Sequence, residues 1–280
     1  MDVGILKRAY PHIAPAIDSV GTLIRQIPKH KGGKFCELEA RVGVISTDAH
    51  GKSYFKSGAG DMDTSFISRV LCKLETSDVW KSKTDWTEQV DRYYLLPSGL
   101  EVRTTTEGVI RKEGGESVQC VVSHMIKTDV AHADFKWEVA DPRCLLASET
   151  GVVLDVRVSI KQEETVFEDE LQDRVDDLHV VRIKQRKSFK YASKTEDVWS
   201  VDITQVYQAP TFVEALMLLR NGHVSTYEME IECENAIDHL KHMDFDYGRL
   251  AASLLLKTAD MFECANGPKI QASGSRLVPQ

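Results

Sequence analysis

Residues 228–234 read Glu-Met-Glu-Ile-Glu-Cys-Glu, so that glutamate alternates with an apolar side chain along the whole stretch. Side chains of a β-strand point alternately to its two faces, and residues two apart therefore share a face. The alternation predicts a strand with a row of carboxylates on one face. The apolar side chains on its other face predict packing against a core.

A second strand with the same pattern lies near the start of the chain. Residues 36–42 read Cys-Glu-Leu-Glu-Ala-Arg-Val, which places Glu37, Glu39 and Arg41 on one face and apolar side chains on the other. Carboxylates two residues apart on a strand lie roughly 7 Å from each other. Such rows are mildly unfavourable unless opposite charges or a metal ion neutralise them.

Basic residues occupy alternating positions on other stretches of the chain. Residues 182–188 read Arg-Ile-Lys-Gln-Arg-Lys-Ser, a row of the opposite sign. The basic residues on such stretches are Arg103, Lys127, Arg157, Arg182, Lys184 and Arg186. Any single strand of this kind is equally typical of a sheet with one solvated face. A merely solvated face mixes positive and negative side chains. Here acidic and basic side chains lie on different strands, which favours a site for a metal ion and a polyanion.

Eight further stretches of alternating residues follow the first strand, and turn residues separate many of them. They are 89–95, 101–106, 119–127, 135–139, 152–161, 179–188, 198–207 and 226–233. Many short strands at regular spacing predict a barrel or a sandwich. The stretch 47–60 is rich in turn residues. Apolar spacing predicts a broken helix over 5–27, short helices over 63–75 and 211–220, and a closing helix over 245–262.

Composition narrows the classes of protein and partner. No stretch approaches the roughly 18 apolar residues that cross a bilayer, so we expect no membrane partner. Six scattered cysteines without a C-x-x-C pair argue against a zinc site or a disulfide framework and favour a reduced compartment. The net charge of −8 predicts that any contact with nucleic acid is confined to a basic pocket.

The paired charges favour phosphate chemistry. Clusters of carboxylates select hard cations such as Mg²⁺ or Mn²⁺. Arginine and lysine suit phosphate oxygens, arginine through two parallel hydrogen bonds and lysine as a point charge. Phosphoryl transfer requires mainly positioning and charge neutralisation, without a histidine or cysteine nucleophile. We therefore expect a metal-bridged phosphate ester or anhydride as substrate.

At this point the chain resembles a known family, the fungal and protozoal RNA triphosphatases. They are the cap-forming branch of the triphosphate tunnel metalloenzymes. The likeness rests on the motifs at 37–39, 125–127, 157–160, 182–189, 199–204 and 228–232. The compact size looks most like the trypanosomatid members. The resemblance implies a mainly β fold, an eight-stranded antiparallel β-barrel tunnel with flanking helices. It would form a single catalytic domain over 1–264, and we interpret 265–280 as a flexible tail with the character of a cloning remnant.

The resemblance also implies a role for each charged residue. The ligands of Mn²⁺ or Mg²⁺ would be Glu37, Glu39 and Glu232. Glu230 would hold or activate the attacking water, and Glu228 would orient its neighbours. The residues that grip the triphosphate would be Arg103, Lys127, Arg157, Arg182, Lys184 and Arg186, and the last three also count as catalytic. The supporting residues would be Arg41, Glu163 and Asp202.

The implied reaction removes the γ-phosphate from the 5′-triphosphate end of nascent RNA in the nucleus, as the first step of mRNA cap formation. Nucleoside triphosphates would also be hydrolysed in manganese. A separate RNA guanylyltransferase is the expected partner, and the protein is expected to be a monomer or a homodimer.

Two alternatives stay open. Tunnel enzymes that act on inorganic triphosphate or thiamine triphosphate usually carry Glu-x-Glu-x-Lys in the first strand, where this chain has Arg41. A barrel that binds polyphosphate without turnover is the second alternative, although an anion receptor gains nothing from carboxylates that face its ligand.

Overall fold

The structure is a computed structural model, and it describes most of the chain. The described residues are 3–9, 11, 13–27, 35–58, 64–82, 85–96, 99–107, 121–136, 154–167, 178–191, 198–234, 236 and 246–265. The predicted tail, 265–280, lies outside them except for residue 265. No helix among these residues is long and apolar enough to cross a membrane.

Within these residues the chain forms strands and five longer helices. The strands are β1 Phe35–Thr47, β2 Ser53–Ser57, β3 Trp80–Ser82, β4 Thr87–Leu95, β5 Glu101–Glu107, β6 Val121–Phe135, β7 Asp155–Thr165, β8 Leu178–Tyr191, β9 Trp199–Ala209 and β10 Thr226–Cys233. The helices are α1 Val3–Ala9, α2 Ala14–Ile24, α3 Thr64–Thr76, α4 Phe212–Arg220 and α5 Tyr247–Ala265.

Eight of the strands close into an antiparallel barrel. Their order is β1-β10-β9-β8-β4-β5-β6-β7, and β7 pairs with β1 again. Strand β2 pairs with the second half of β1, and β3 pairs with the end of β8, both outside the ring. The predicted eight-stranded antiparallel β-barrel with flanking helices is therefore confirmed.

The main hydrophobic core lies outside the barrel wall. Leu38, Ala40 and Val42 of β1 are fully buried on the outer face, in one cluster with apolar side chains of α2, α3 and α5. Alternation along the strand then turns Glu37, Glu39 and Arg41 towards the lumen. The packing of the helices thus determines which side chains line the tunnel.

Helix α4 covers a second, smaller apolar cluster on β8 and β9. Its start follows from local chemistry, because the Thr211 side chain accepts a hydrogen bond from the Glu214 backbone N–H and donates one to the Glu214 carboxylate. This reciprocal arrangement satisfies an otherwise unpaired N–H at the helix start.

Two details differ from the sequence prediction. The strand expected over 119–127 is wrong in its end, because one long strand, β6, runs from Val121 to Phe135. A β-bulge between Asp129 and Ala131 shifts its register against β7, and a bulge absorbs one extra residue without ending a strand. The strand expected over 135–139 lies outside the described residues from residue 137 onward. Strand β2 lies in the stretch 47–60, where turn residues dominate.

Candidate active site

The three glutamates predicted to bind metal come together on one wall of the lumen. Glu39 lies directly opposite Glu232 where β1 pairs with β10. Residues that face each other across an antiparallel pair point to the same side of the sheet. On the other flank of β1, Glu37 lies opposite Lys161 and Glu39 lies opposite Ser159. This wall therefore holds carboxylates of two neighbouring strands.

Glu232 lies among other carboxylates. Among the described residues, none donates a hydrogen bond to its carboxylate or forms an ion pair with it. Burial raises the pKa of Glu232 to about 8, with further contributions from Glu37, Asp202, Glu230 and Glu39. Negative charge is thus concentrated around the Glu232 carboxylate, which has no cationic partner in the described part of the chain. Such a position suits a divalent ion.

Glu37 and Glu39 are held by cations of the protein itself. Glu39 Oε1 lies 2.5 Å from Lys161 Nζ and accepts the Ser159 hydroxyl at 2.8 Å. Glu37 Oε2 lies 2.7 Å from Lys127 Nζ. No three Asp, Glu, His or Cys side chains of the described residues form a ready-made metal site. The metal assignment therefore stays a prediction.

Glu230, two residues from Glu232, has the opposite electrostatic surroundings. Its Oε1 lies 2.8 Å from Nη2 of Arg41. Burial by itself would raise the pKa of Glu230, but Arg41, Arg186 and Lys184 hold it well below its usual range. Glu230 is therefore ionised at neutral pH.

The basic row of β8 lies within reach of carboxylates from three other strands. Arg182 pairs with Glu228 on β10. Lys184 Nζ lies 2.6 Å from Asp91 Oδ2 on β4. Arg186 Nη1 lies 3.1 Å from Asp202 Oδ2 on β9. Each cation is thus held in position in the lumen before any ligand binds.

Several of these cations keep hydrogen-bonding capacity. The buried Nε–H groups of Arg103, Arg182 and Arg186 have no hydrogen-bond partner among the described residues, nor has the buried Thr204 hydroxyl. The Nε of Arg41, by contrast, lies 3.1 Å from Glu39 Oε1. Buried donors in native proteins are almost always paired. Unpaired donors of three arginines in one lumen therefore indicate a site for an anion with several acceptor oxygens.

A third group of predicted residues lies on β5, β6 and β7. Lys127 contacts both Glu37 and Glu163. Nη2 of Arg103 lies 3.8 Å from Glu163 Oε1. Glu163 therefore connects the two basic residues of this wall, and Lys127 connects them to Glu37.

Arg157 does not share in these contacts. Its Nε and Nη2 donate to the two Asp134 oxygens at 2.7 and 2.9 Å, and its guanidinium lies 4.9 Å from the centroid of the Phe55 ring. The bulge in β6 brings Asp134 opposite Arg157. This register was not apparent in the sequence.

Sequence reasoning missed Asp91, which is fully buried in the lumen wall. Gln89 Nε2 and the Thr105 hydroxyl donate to its Oδ1 at 2.7 and 2.8 Å. Burial by itself would raise the pKa of Asp91, but Lys184 in particular lowers it to about 2. The alternation of polar residues at 89, 91 and 93 was the available signal, but one acid among neutral polar residues did not stand out.

Solved structures share this architecture. The Pct1 RNA triphosphatase of S. pombe is 15% identical, with a TM-score of 0.53 over 89% of this chain and 90% of that chain. The chain has the tunnel fold of RNA triphosphatases. Pct1 in complex with the Spt5 CTD superposes on this tunnel with a TM-score of 0.55 at 15% identity, over 88% and 91% of the two chains.

A third similar structure is the RNA triphosphatase domain of a mimivirus mRNA capping enzyme. It is 9% identical and covers 90% of this tunnel protein and 97% of that chain, with a TM-score of 0.46. The sequence matches no protein-family profile and no curated protein. At sequence identities of 15% and 9%, these structural similarities concern the fold alone.

Proposed function

We propose that this tunnel protein is a divalent-metal-dependent RNA 5′-triphosphatase, which removes the γ-phosphate from the triphosphate end of RNA. One observation carries the proposal. The lumen combines a wall of carboxylates at Glu37, Glu39 and Glu232 with buried arginine N–H groups that have no acceptor. A barrel that only binds anions has no use for the carboxylates, whereas metal-assisted phosphoryl transfer needs both.

The metal part of the proposal rests on the donor set and its charge. Glu37, Glu39 and Glu232 supply only carboxylate oxygens, the donor type of Mg²⁺ and Mn²⁺. The raised pKa of Glu232, which burial and the neighbouring carboxylates cause, is the sign of a site that gains from added positive charge. A divalent ion bound there supplies charge neutralisation to phosphate oxygens.

The arginines and lysines of the lumen would bind the triphosphate. Arg182, Lys184 and Arg186 follow one another at alternate positions on β8, roughly 7 Å apart. Each already has a carboxylate partner that fixes its direction. The unpaired Nε–H groups of Arg182 and Arg186 would then donate to phosphate oxygens without rearrangement of the wall. Such preorganised donors stabilise charge that develops in a transition state.

Glu230 would orient the attacking water. Arg41, Arg186 and Lys184 overcome the effect of burial and keep its pKa far below the usual range, so that Glu230 accepts hydrogen bonds but is a weak base. An ionised carboxylate of this kind suits the positioning of water better than proton abstraction.

The proposal includes a place in mRNA capping. It assigns to the protein the first step of cap formation in the nucleus, hydrolysis of nucleoside triphosphates in manganese, and a separate RNA guanylyltransferase as partner. The order of strand motifs that resembles the fungal and protozoal enzymes, together with the compact size that looks most like the trypanosomatid members, supports this finer part. The fold shared with the S. pombe enzyme is consistent with it.

The decisive assay is phosphate release from triphosphate-ended RNA, with and without Mn²⁺, alongside ATP, inorganic triphosphate and thiamine triphosphate. We expect metal-dependent release of one phosphate from RNA and from ATP. Release from inorganic or thiamine triphosphate alone would assign the tunnel to the other substrate class. A folded protein that binds these compounds but releases nothing would refute catalysis.

A further inference from the structure

Lys161 of β7 has a role in the lumen that the triphosphatase proposal does not assign. Its register partner on β1 is Glu37, yet its Nζ lies 2.5 Å from Oε1 of Glu39. The side chains are 15% and 5% exposed, so this ion pair is shielded from water. Ser159 donates to the same oxygen at 2.8 Å.

This pair conflicts with metal binding at the same carboxylate. A carboxylate oxygen has two lone-pair directions, and the Lys161 ammonium and the Ser159 hydroxyl use both on Oε1 of Glu39. Arg41 lies on the same carboxylate, with its Nε 3.1 Å from Oε1 and its Nη2 donating to Oε2 at 3.1 Å. A divalent ion that binds at Oε1 must therefore displace one of these donors, and an ion at either oxygen of Glu39 repels the nearby Lys161 ammonium directly.

The displaced ammonium needs another acceptor. Two nearby carboxylates have their own cations, since Glu230 pairs with Arg41 and Glu163 pairs with Lys127. Glu37 and Glu232, the remaining acids of the wall, are themselves proposed ligands of the ion, and Glu37 already pairs with Lys127. An ammonium left unpaired in a shielded lumen is costly. An oxygen of the anionic substrate is the acceptor that remains for the Lys161 ammonium.

We propose that Lys161 is a displaceable counter-ion, which neutralises Glu39 in the metal-free protein, releases it when a divalent ion binds, and then donates to a phosphate oxygen of the substrate. This inference rests on the proposed function. It makes the binding of metal and of anion mutually supportive. The metal ion binds the Glu39 carboxylate that Lys161 leaves, and the anion accepts a hydrogen bond from the Lys161 ammonium that Glu39 loses. Such coupling is reciprocal: the anion raises metal affinity by the same factor as the metal raises anion affinity.

The opposite role makes the opposite prediction. If Lys161 were a fixed brace that holds Glu39 ready for the ion, its loss would loosen Glu39 and weaken metal binding. If Lys161 is a counter-ion, its loss removes a competitor and strengthens metal binding. The sign of the change in metal affinity therefore separates the two roles.

The test is calorimetric titration of Mn²⁺ into the protein without substrate, for wild type, Lys161→Met and Lys161→Arg. We expect Lys161→Met to bind Mn²⁺ about tenfold more tightly, the factor that corresponds to one charge-assisted hydrogen bond. Lys161→Arg keeps the counter-ion and should stay near the wild-type affinity.

A matched control lies on the outer face of the barrel. Lys187 pairs with Glu75 at the same 2.5 Å, and its side chain is 14% exposed. Lys187→Met removes a lysine–glutamate pair of equal length and similar lysine burial without touching the lumen, so its Mn²⁺ affinity should equal that of wild type.

The second half of the proposal concerns the anion. Sulfate is a suitable probe, because it is a tetrahedral dianion that cannot be hydrolysed here. Sulfate should raise the Mn²⁺ affinity of wild type several-fold and that of Lys161→Met distinctly less. An equal response of the two proteins would overturn the transfer of Lys161 to the anion.

Mn²⁺ affinity of Lys161→Met that equals or falls below the wild-type value would overturn the counter-ion role, as would absence of Mn²⁺ binding in both proteins. A thermal melt checks that the variant folds, and Lys161→Gln removes the same charge if Met does not fold. The titrations contain no substrate. Suppose that Lys161→Met binds Mn²⁺ more tightly but wild type releases no phosphate from triphosphate-ended RNA. The triphosphatase proposal would then be refuted, whereas the counter-ion role of Lys161 would be supported.

Discussion

Replacing Glu232 by glutamine should stabilise the metal-free protein while it removes activity. Burial and the neighbouring carboxylates raise the pKa of Glu232 from 4.5 to about 8. The folded protein therefore binds more protons at this site than the unfolded chain does between these two pH values. The contribution of Glu232 to stability is complete at acidic pH and is lost as pH rises towards and through 8. Glutamine has no charge to bury, so the variant escapes this loss.

The size of the effect follows from the two pKa values. The cost of Glu232 in the folded protein is at most about 1 kcal/mol at pH 5, about 3 kcal/mol at pH 7 and about 5 kcal/mol at pH 9. Since 1 kcal/mol changes the Tm of a domain near this size by about 2–4 °C, Glu232→Gln should melt about 6–12 °C above wild type at pH 7. The difference should widen as the pH rises.

Thermal melts in a chelator, at pH 5, 7 and 9, test this expectation. Added Mn²⁺ should reverse the order, because an ion that binds the folded wild type stabilises it by mass action and the variant lacks one ligand. Glu230→Gln is the matched control on the same strand. Since Arg41 favours the ionised form of Glu230, that variant should lose stability. A Glu232→Gln protein that melts no higher than wild type in chelator, or a gap independent of pH, would refute the reasoning.

Three further outcomes are expected. Glu37→Ala and Glu39→Ala should abolish phosphate release and keep a wild-type far-ultraviolet dichroism spectrum; release at the wild-type rate would contradict the metal assignment. Arg186→Lys should lower kcat/KM by about 10–100-fold, because a point charge lacks the guanidinium fork, and equal rates would exclude a two-point contact. Asp91→Asn leaves the Lys184 ammonium with a neutral partner in a buried position, and should lower the free energy of unfolding by about 3–5 kcal/mol in denaturant titration; an unchanged midpoint would contradict that pairing.

The sequence was most informative where one strand carries one kind of charge. Alternation with period two has a single geometric meaning, so residues 228–234 and 182–188 predicted both the strands and the face that bears their charges. The barrel architecture followed from the number and spacing of such stretches. These are local properties, and a local pattern can be read without knowledge of the strand partners.

The pairing of charges across the lumen depends on register and closure, which no local pattern contains. Lys161 opposes Glu37 in register but contacts Glu39. Arg157 carried the same signal as Arg182, yet a bulge in the neighbouring strand β6 brings Asp134 to it. Asp91 was missed because its importance arises from burial beside Lys184, a relation between strands β4 and β8.

The placement of the hydrophobic core outside the barrel has a consequence for how such proteins diverge. Strands such as β1 and β10 use one set of alternate residues to hold the helices and place the other set, with its charges, in the lumen. Changes in one set leave the other nearly untouched, so that a lineage acquires a new substrate without rebuilding its scaffold. A common architecture at 15% identity is the outcome expected when form and reactivity reside on opposite sides of one sheet.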